Sequence, residues 1–316
     1  MGQTNWTFDA PAGVYKNHAL SSAIREAAIA ETKFMQFVTP EPNYGRQKGE
    51  SITITRISNI DEPSDGRLAE ADRISEDELV ITTTSVTVSE WGRAVPYTSL
   101  NEDLSHIDLN SKIQKKLRDQ MKLTLDTAAA AAFKANQVKA VSLGVNSIQF
   151  DTGGAPTAVA QANLNVFHTE RIRDFMHADL NIPPFMGDDY MGMVSTKAKR
   201  GIMDDPAWEP WNRYTTPENK FRSELGRLEQ IRYVEVNHNS ALSNAIGLNG
   251  VVGEAVFFGE DPTFLALVTD PELRTEVPGD FGRKRAVAWY AILEFGNTWG
   301  DSANAGENRV IHFTSL

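Results

Sequence analysis

Two β-rich runs on either side of an acidic stretch constrain this chain more than any other feature. In residues 51–57, Ile52, Ile54 and Ile57 interleave with Ser51, Thr53 and Thr55, the near-strict alternation of a strand with one wet face. Residues 79–97, rich in Val, Ile and Thr, predict a second and longer strand. Between them, residues 59–78 carry Asp61, Glu62, Asp65, Glu70, Asp72, Glu76, Asp77 and Glu78 against only Arg67 and Arg73. The pattern predicts a long antiparallel ribbon whose acidic tip, around Ser64-Asp65-Gly66, faces solvent. Arms of roughly 15 to 20 residues at about 3.3 Å each would project about 50 to 60 Å, beyond the radius of a domain this size. A two-stranded hairpin alone is marginal in water. Much of the ribbon is therefore expected to rest on a neighbouring copy of the chain.

The remaining segments predict an α+β fold. Residues 4–15 are polar, aromatic and punctuated by Gly and Pro, a composition that reads as an extended arm. A helix is predicted over 20–38, stopped by Thr39-Pro40-Glu41-Pro42. After the capping cluster Ser99-Leu100-Asn101-Glu102, a helical pattern runs from 103 to 136, about 50 Å at about 1.5 Å per residue. Ile107, Ile113, Leu117, Met121, Leu125 and Ala128 share one of its faces. Lys112, Lys115, Lys116 and Lys122 gather on the opposite face, which is either a solvated surface or a strip facing a polyanion. Short strands are predicted at 138–141 and 147–150, a helix at 163–179, a strand at 190–195 and a helix at 197–203. Further strands follow at 230–236, 254–259, 263–269, 285–295 and 309–314.

Composition removes whole classes of chemistry. There is no cysteine, so disulfides, thiolate catalysis and cysteine-ligated zinc are excluded. No apolar run reaches membrane-spanning length and no secretion signal opens the chain, so a cytoplasmic origin without membrane contact is expected. Lys and Arg number 31 against 42 Asp and Glu, a net charge of −11; contact with nucleic acid must then come from a local basic strip. Gly45-Arg46-Gln47-Lys48-Gly49-Glu50-Ser51 lacks the Gly-Lys-[Ser/Thr] of a phosphate loop and precedes a strand. His18, His106, His168, His177, His238 and His312 are scattered without metal-ligand spacing, and no Gly-x-Ser-x-Gly elbow occurs. The acid pairs Asp188-Asp189 and Asp204-Asp205 read as loops, although either could serve calcium or general acid/base work. Trp208, Trp211 and Tyr214 suit a subunit contact or a sugar-stacking platform. Neither a catalytic residue, a cofactor site nor a metal site is assigned.

The order of these parts resembles the major capsid proteins of tailed bacteriophages with the Hong Kong 97-type fold. The stretches that carry the likeness are Gly49-Glu50-Ser51-Ile52-Thr53-Ile54, Val88-Ser89-Glu90-Trp91-Gly92-Arg93-Ala94, Phe281-Gly282-Arg283-Lys284 and Trp289-Tyr290. The resemblance implies an N-terminal arm at 1–44, an extended loop at 45–98, a peripheral domain with a long spine helix at 99–149 and 261–316, and an axial domain at 150–260. It implies self-assembly into hexamers and pentamers of an icosahedral shell, in the host cytoplasm and then in the virion. On this reading the loop residues Asp61, Asp65, Arg67, Arg73 and Trp91 make subunit contacts, and Trp208, Trp211 and Tyr214 make axial-domain contacts. The face bearing Lys112, Lys115, Lys116 and Lys122 would turn toward packaged DNA. Some relatives lock the shell by a lysine-asparagine isopeptide bond from the loop, but residues 59–78 hold no lysine. A portal and a cement protein are implied partners, and the lack of a long charged helical extension before the arm implies a separate scaffolding protein or a precursor already trimmed. The alternatives are an encapsulin-like compartment shell and a carbohydrate-binding or hydrolytic protein using residues 204–214.

Overall fold

The computed structural model describes residues 29–41, 44–47, 49–60, 67, 73–74, 76–105, 108–206, 208, 224–242, 253–278 and 280–316. The predicted arm and residues 20–28 of the predicted 20–38 helix lie outside these residues. The described end of that helix instead has no regular structure through residue 33, then forms a 3-10 turn at Phe34–Phe37 and a short strand β1 at Thr39–Pro40. Strand β2 (Ser51–Ile57) pairs antiparallel with β3 (Ile81–Thr87) as a separate two-stranded ribbon. The single long return strand expected from 79 to 97 breaks at Val88, where the chain leaves the ribbon. It continues as β4 (Ser89–Thr98) at the edge of another sheet.

Helix α1 (Ser99–Leu104) is short and capped by Thr98, whose side chain accepts the Asn101 N–H. The long helix α2 covers Leu109–Lys134, where Asp108 accepts the Ser111 N–H at 3.1 Å. It thus starts six residues later than its periodicity suggested. The cause is two successive cap residues, each able to stabilise a helix start by about 1 kcal/mol. At about 1.5 Å per residue it is about 39 Å long. Strands β5 (Lys139–Gly144) and β6 (Ser147–Asp151) form a hairpin, followed by α3 (Val166–Asp174) and a π-helical turn at Phe175–Asp179. Then come β7 (Tyr190–Ser195), α4 (Thr196–Met203), β8 (Glu224–Leu228), β9 (Ile231–Val236) and β10 (Glu254–Phe258). Strands β11 (Phe264–Thr275), β12 (Lys284–Gly296) and β13 (Val310–Thr314) close the chain.

Two larger sheets result, a four-stranded one in the order β1-β11-β12-β4 and a seven-stranded one in the order β6-β5-β13-β10-β7-β9-β8. They divide the chain differently from the sequence-based boundaries. The division at 149/150 falls within β6, and β13, from the 261–316 segment, sits between β5 and β10. The parallel pairing of β5 with β13 joins segments that are distant in sequence, and no local pattern announces it.

Alternation decides which faces are buried. Val287, Trp289, Ala291, Leu293 and Phe295 of β12 point toward α2. Leu117, Leu125, Ala129, Ala130 and Phe133 of α2 meet them and also meet Met191, Met193, Val256, Phe258 and Val310 of the seven-stranded sheet. The expected apolar face of α2 is thus the buried one, with Ile113, Met121 and Ala128 packed at its margin. The opposite face of the seven-stranded sheet covers a second core with α3 and α4, around Ile172, Ile202, Tyr233, Phe257 and Phe313.

Polar contacts pin α2 at three heights. Near its middle Gln120 Oε1 accepts the Trp289 indole N–H at 3.3 Å. Six residues further on, fully buried Asp126 accepts the backbone N–H groups of Lys33 and Phe34, both at 2.9 Å, and its other oxygen lies 3.1 Å from His238 Nδ1. This one carboxylate ties the incoming N-terminal segment to the turn after β9. At the C-terminal end, fully buried Glu254 lies 3.5 Å from Lys134 Nζ and 3.4 Å from His312 Nε2. Lys139 closes the cluster by donating to the Lys134 carbonyl, one of the carbonyls a helix end leaves unpaired. Burial pushes the Lys139 ammonium down to about 8 and holds His312 below its ordinary value.

His312 gives the cluster a pH signature. The unfolded chain takes up this proton near pH 6.5 while the folded chain refuses it until lower pH, so stability is lost as pH falls below about 6.5. Denaturant unfolding of the subunit between about pH 7.5 and 5.5 is expected to show this decline, and His312→Gln is expected to make it shallower. Equal slopes for the two proteins would refute the assignment.

Candidate assembly interface

Inner and outer faces of the ribbon differ in kind. Ile52 pairs with Val86, Ile54 with Thr84 and Arg56 with Thr82 on the half-buried face. Ser51, Thr53, Thr55 and Ile57 oppose Thr87, Ser85, Thr83 and Ile81 on the exposed one. The backbone ladder is extended by bonds from Ser58 N to Val80 O and from Val88 N to Glu50 O. Seven paired residues per arm, at about 3.3 Å each, make about 23 Å. This is shorter than the 50 to 60 Å expected, because β4 turns away to pair with β12.

Arg56, near the end of the ladder that leads into the acidic stretch, ties the ribbon to the body. Its Nη2 donates to Asp301 Oδ2 at 2.7 Å and its Nη1 reaches Asp301 Oδ1, a two-pronged fit to the carboxylate. Nη1 also donates to the Thr298 carbonyl at 2.9 Å, Nε donates to Thr82 Oγ1 at 2.7 Å, and the guanidinium lies over the Trp299 ring at 5.4 Å. The guanidinium in turn holds the Asp301 carboxyl below the usual carboxylate range. Thr84 Oγ1 and Asn59 Nδ2 add bonds to the Thr298 and Ala305 carbonyls. At Gly296 a Cβ would come within 2.7 Å of Val86 and 2.3 Å of Phe264, so only glycine lets the ribbon sit this close to the sheet. Arg56 was not singled out from the sequence. Its one signal there is a lone charge inside a Thr/Ile alternation.

Beyond this tether, exposed apolar side chains stand among the charged ones of the acidic stretch. Ile57, Ile60, Ile74, Leu79, Val80 and Ile81 are each at least half exposed, a concentration that marks an interaction surface. Asp61 and Asp65 lie outside the described residues. Arg67 is exposed, and exposed Arg73 pairs with Glu76 at 2.5 Å. Trp91 is half-buried on the helix-facing side of β4, where its ring N–H donates to the Leu293 carbonyl at 3.0 Å. In the subunit it serves internal packing.

The four lysines of α2 do lie away from its apolar face, but they separate into two pairs. Lys115 and Lys122 are exposed. Lys112 and Lys116 line a groove of about 450 Å³ between α2 and β4, together with Arg93, Val95, Leu109 and Ile113. Trp208 is buried in the second core, edge-on to Tyr233 at 6.0 Å, and is therefore a core residue rather than an exposed anchor. Trp211 and Tyr214 lie outside the described residues.

The acid pairs have structural partners. Asp189 is held by Arg227 at 2.6 Å and Arg232 at 2.7 Å, and Asp205 Oδ2 accepts the Val166 N–H at the start of α3. His168 completes a capping box with Asn165 while its Nε2 lies 2.8 Å from the Gly144 carbonyl; burial lowers its pKa. Among the described residues no group of three or more His, Asp or Glu side chains is placed to hold a metal, and no helix is long and apolar enough to cross a membrane.

No protein-family model and no curated protein matches the chain. Solved structures do. The capsid of Ralstonia phage GP4 superposes with a TM-score of 0.68 at 14% identity, covering 100% of this chain and 98% of that one. The capsid of cyanophage Pam1 gives 0.67 at 15% identity, covering 97% and 98%. The head of Helicobacter pylori bacteriophage KHP40 gives 0.66 at 12% identity, covering 99% of each chain. The chain therefore has the fold of tailed-phage capsid subunits, the α+β Hong Kong 97-type fold that the sequence resemblance implied.

The Arg56 tether is open to direct test. Arg56→Leu keeps a strand-compatible side chain and removes the guanidinium; hydrogen exchange at the ladder amides of Ile52 and Ile54 is expected to accelerate roughly tenfold, with β12 unchanged. Unchanged exchange in β2 would show that the ribbon is held without it.

Proposed function

We propose that this chain is a major capsid protein that assembles, as hexamers and pentamers, into the icosahedral shell around a phage genome, and that it resides in the virion. The observation that carries this reading is the ribbon. It is thin, tethered to the body near the far end of its ladder and crowned beyond that by exposed apolar side chains, on a fold shared with phage capsids over nearly the whole chain. A two-stranded element of this kind gains its stability from a surface outside its own subunit, and a second copy supplies one. The loop at 45–98, including Asp61, Asp65, Arg67 and Arg73, is the contacting element in this reading. The four-stranded sheet with α2 forms the peripheral unit. The seven-stranded sheet with α3 and α4, to which β13 returns, forms the axial unit.

The shell function is non-catalytic, and the cap that Asp205 gives to α3 and the burial of Trp208 support this over a hydrolytic or sugar-binding role for 204–214. Nothing specific favours an encapsulin-like compartment. Scaffolding, portal and cement proteins are the further partners of such a shell. DNA is contacted without sequence preference by the lysine face of α2, through Lys115 and Lys122 together with Lys112 and Lys116.

Deleting residues 61–77 is expected to leave the far-ultraviolet circular dichroism of the subunit intact while abolishing closed particles in negative-stain electron microscopy. Shells of normal size from the deleted chain would sink the proposal. For the DNA contact, the double variant Lys115→Glu/Lys122→Glu avoids the groove at Lys112 and Lys116. It is expected to close normal shells but to lower the fraction of DNA-filled particles severalfold, as charge reversal at a phosphate contact weakens binding. An unchanged filled fraction would remove DNA as the partner of this face.

A further inference from the structure

The turn between β11 and β12 displays an aromatic ring that nothing in its own subunit explains. Phe281 is 106% exposed and Val277, on the same turn, is 85% exposed. Burying a phenylalanine ring is worth about 1.5 to 3 kcal/mol, so full exposure of one at a hairpin tip forgoes a large contribution. The backbone beneath it is strained as well. Asp280 and Phe281 both occupy the left-handed region, at φ 50° and 52°, followed by Gly282 at 90°. Consecutive non-glycine residues with positive φ are uncommon, and a bulky one is an outlier that needs a reason. Here the strain aims the ring away from the body.

A complementary hollow lies at the same end of the molecule. The groove between α2 and β4 has a volume of about 450 Å³ and is bounded by Val95, Leu109 and Ile113, with Arg93, Lys112 and Lys116 as its charged members. It is ample for one aromatic side chain. Its distance from the tip is short, because Lys284 pairs with Thr98 while Val287, three residues on, pairs with Val95. The Ser99 N–H also donates to the Arg283 carbonyl at 3.0 Å. Tip and groove are neighbours in one subunit, yet the exposure of Phe281 shows that the ring does not fill its own subunit's groove.

We propose that the Phe281 knob of one copy inserts into the α2–β4 groove of an adjacent copy. The charges match this occupant. Asp280 enters beside the ring and Glu276 stands next to Val277, opposite the three cations of the groove. Arg283 and Lys284 lie on the returning arm, where Arg283 faces Asp280 at 3.7 Å. Since knob and groove are different surfaces, the contact is head-to-tail, and a rotation between copies that closes repeats it as a ring. The inference rests on the shell reading and deepens it with a second contact, separate from the ribbon. It also gives Lys112 and Lys116 a second task, beside the DNA contact proposed for them with Lys115 and Lys122.

The absence of cysteine from the chain makes the test clean. Subunits carrying Phe281→Cys are mixed with subunits carrying Val95→Cys, or in a second mixture Lys112→Cys, assembled and oxidised. Because each chain holds one thiol, a bond between different variants is necessarily intermolecular, and it requires Cα atoms within about 7 Å. A mixed dimer of twice the subunit mass is expected from assembled particles, and none from dissociated subunits. Independently, Phe281→Ala is expected to leave subunit unfolding unchanged while raising the concentration needed for assembly roughly tenfold or more. Particles that form normally without a mixed dimer overturn the knob contact and leave the shell reading standing. Mixed dimers without any particles support the contact and count against the shell reading. Absence of both removes the two together.

Discussion

The subunit depends on a single helix that is shared between two sheets. Leu117, Leu125, Ala129, Ala130 and Phe133 of α2 bury against β12 and against the seven-stranded sheet, so one apolar stripe closes one core common to both. Small side chains make this arrangement feasible. The alanines of the last turns let strands approach closely, and Phe133 then packs edge-on with Phe34 at 5.4 Å and beside Phe258 at 5.1 Å. A helix with a bulky side chain at each of those positions would hold the two sheets apart, and interiors tolerate such gaps poorly.

Polar groups buried along the same helix convert packing into a specified arrangement. A buried carboxylate is costly unless its lone pairs are met, and Asp126 is met by two backbone N–H groups and a histidine belonging to different segments of chain. Glu254, Lys134, Lys139 and His312 act likewise where α2 ends above β5, β10 and β13. Each set comes together when the N-terminal segment, the helix and the larger sheet stand in one relation, although Glu254 Oε1 and both ring nitrogens of His312 are left without a hydrogen bond. The acids and histidines that invite a catalytic reading in the sequence are largely absorbed in this work of orientation.

Against this rigid body the ribbon is lightly held. Its ladder runs seven residues, its polar tethers gather around Arg56, and exposed apolar side chains gather at the end of the ladder and beyond it. The contrast suits a subunit whose body must keep its shape while a projecting element takes its final stability from a neighbour. The Phe281 tip obeys the same logic on a smaller scale, a strained and exposed group whose partner lies in another copy.

Local patterning made much of this legible. Alternation located β2, β7, β9, β10, β12 and β13, the 3.6-residue period identified the buried face of α2, and the missing cysteine with scattered histidines removed whole chemistries, because each of these signals resides in side chains a few residues apart. The order of parts was enough to suggest the capsid fold. What tertiary structure alone decided is non-local. The chain changes sheets at Val88 although alternation continues through it, so the ribbon is shorter than its sequence suggests. Successive caps at Thr98 and Asp108 split one helical pattern into two helices. Strand β13 crosses to the larger sheet, and Trp208 becomes core while Phe281 stays exposed. Arg56 meets Asp301 across most of the chain. Sequence spacing reports which side chains share a face; which face then meets which is set by contacts between distant segments, and those exist once the chain has folded.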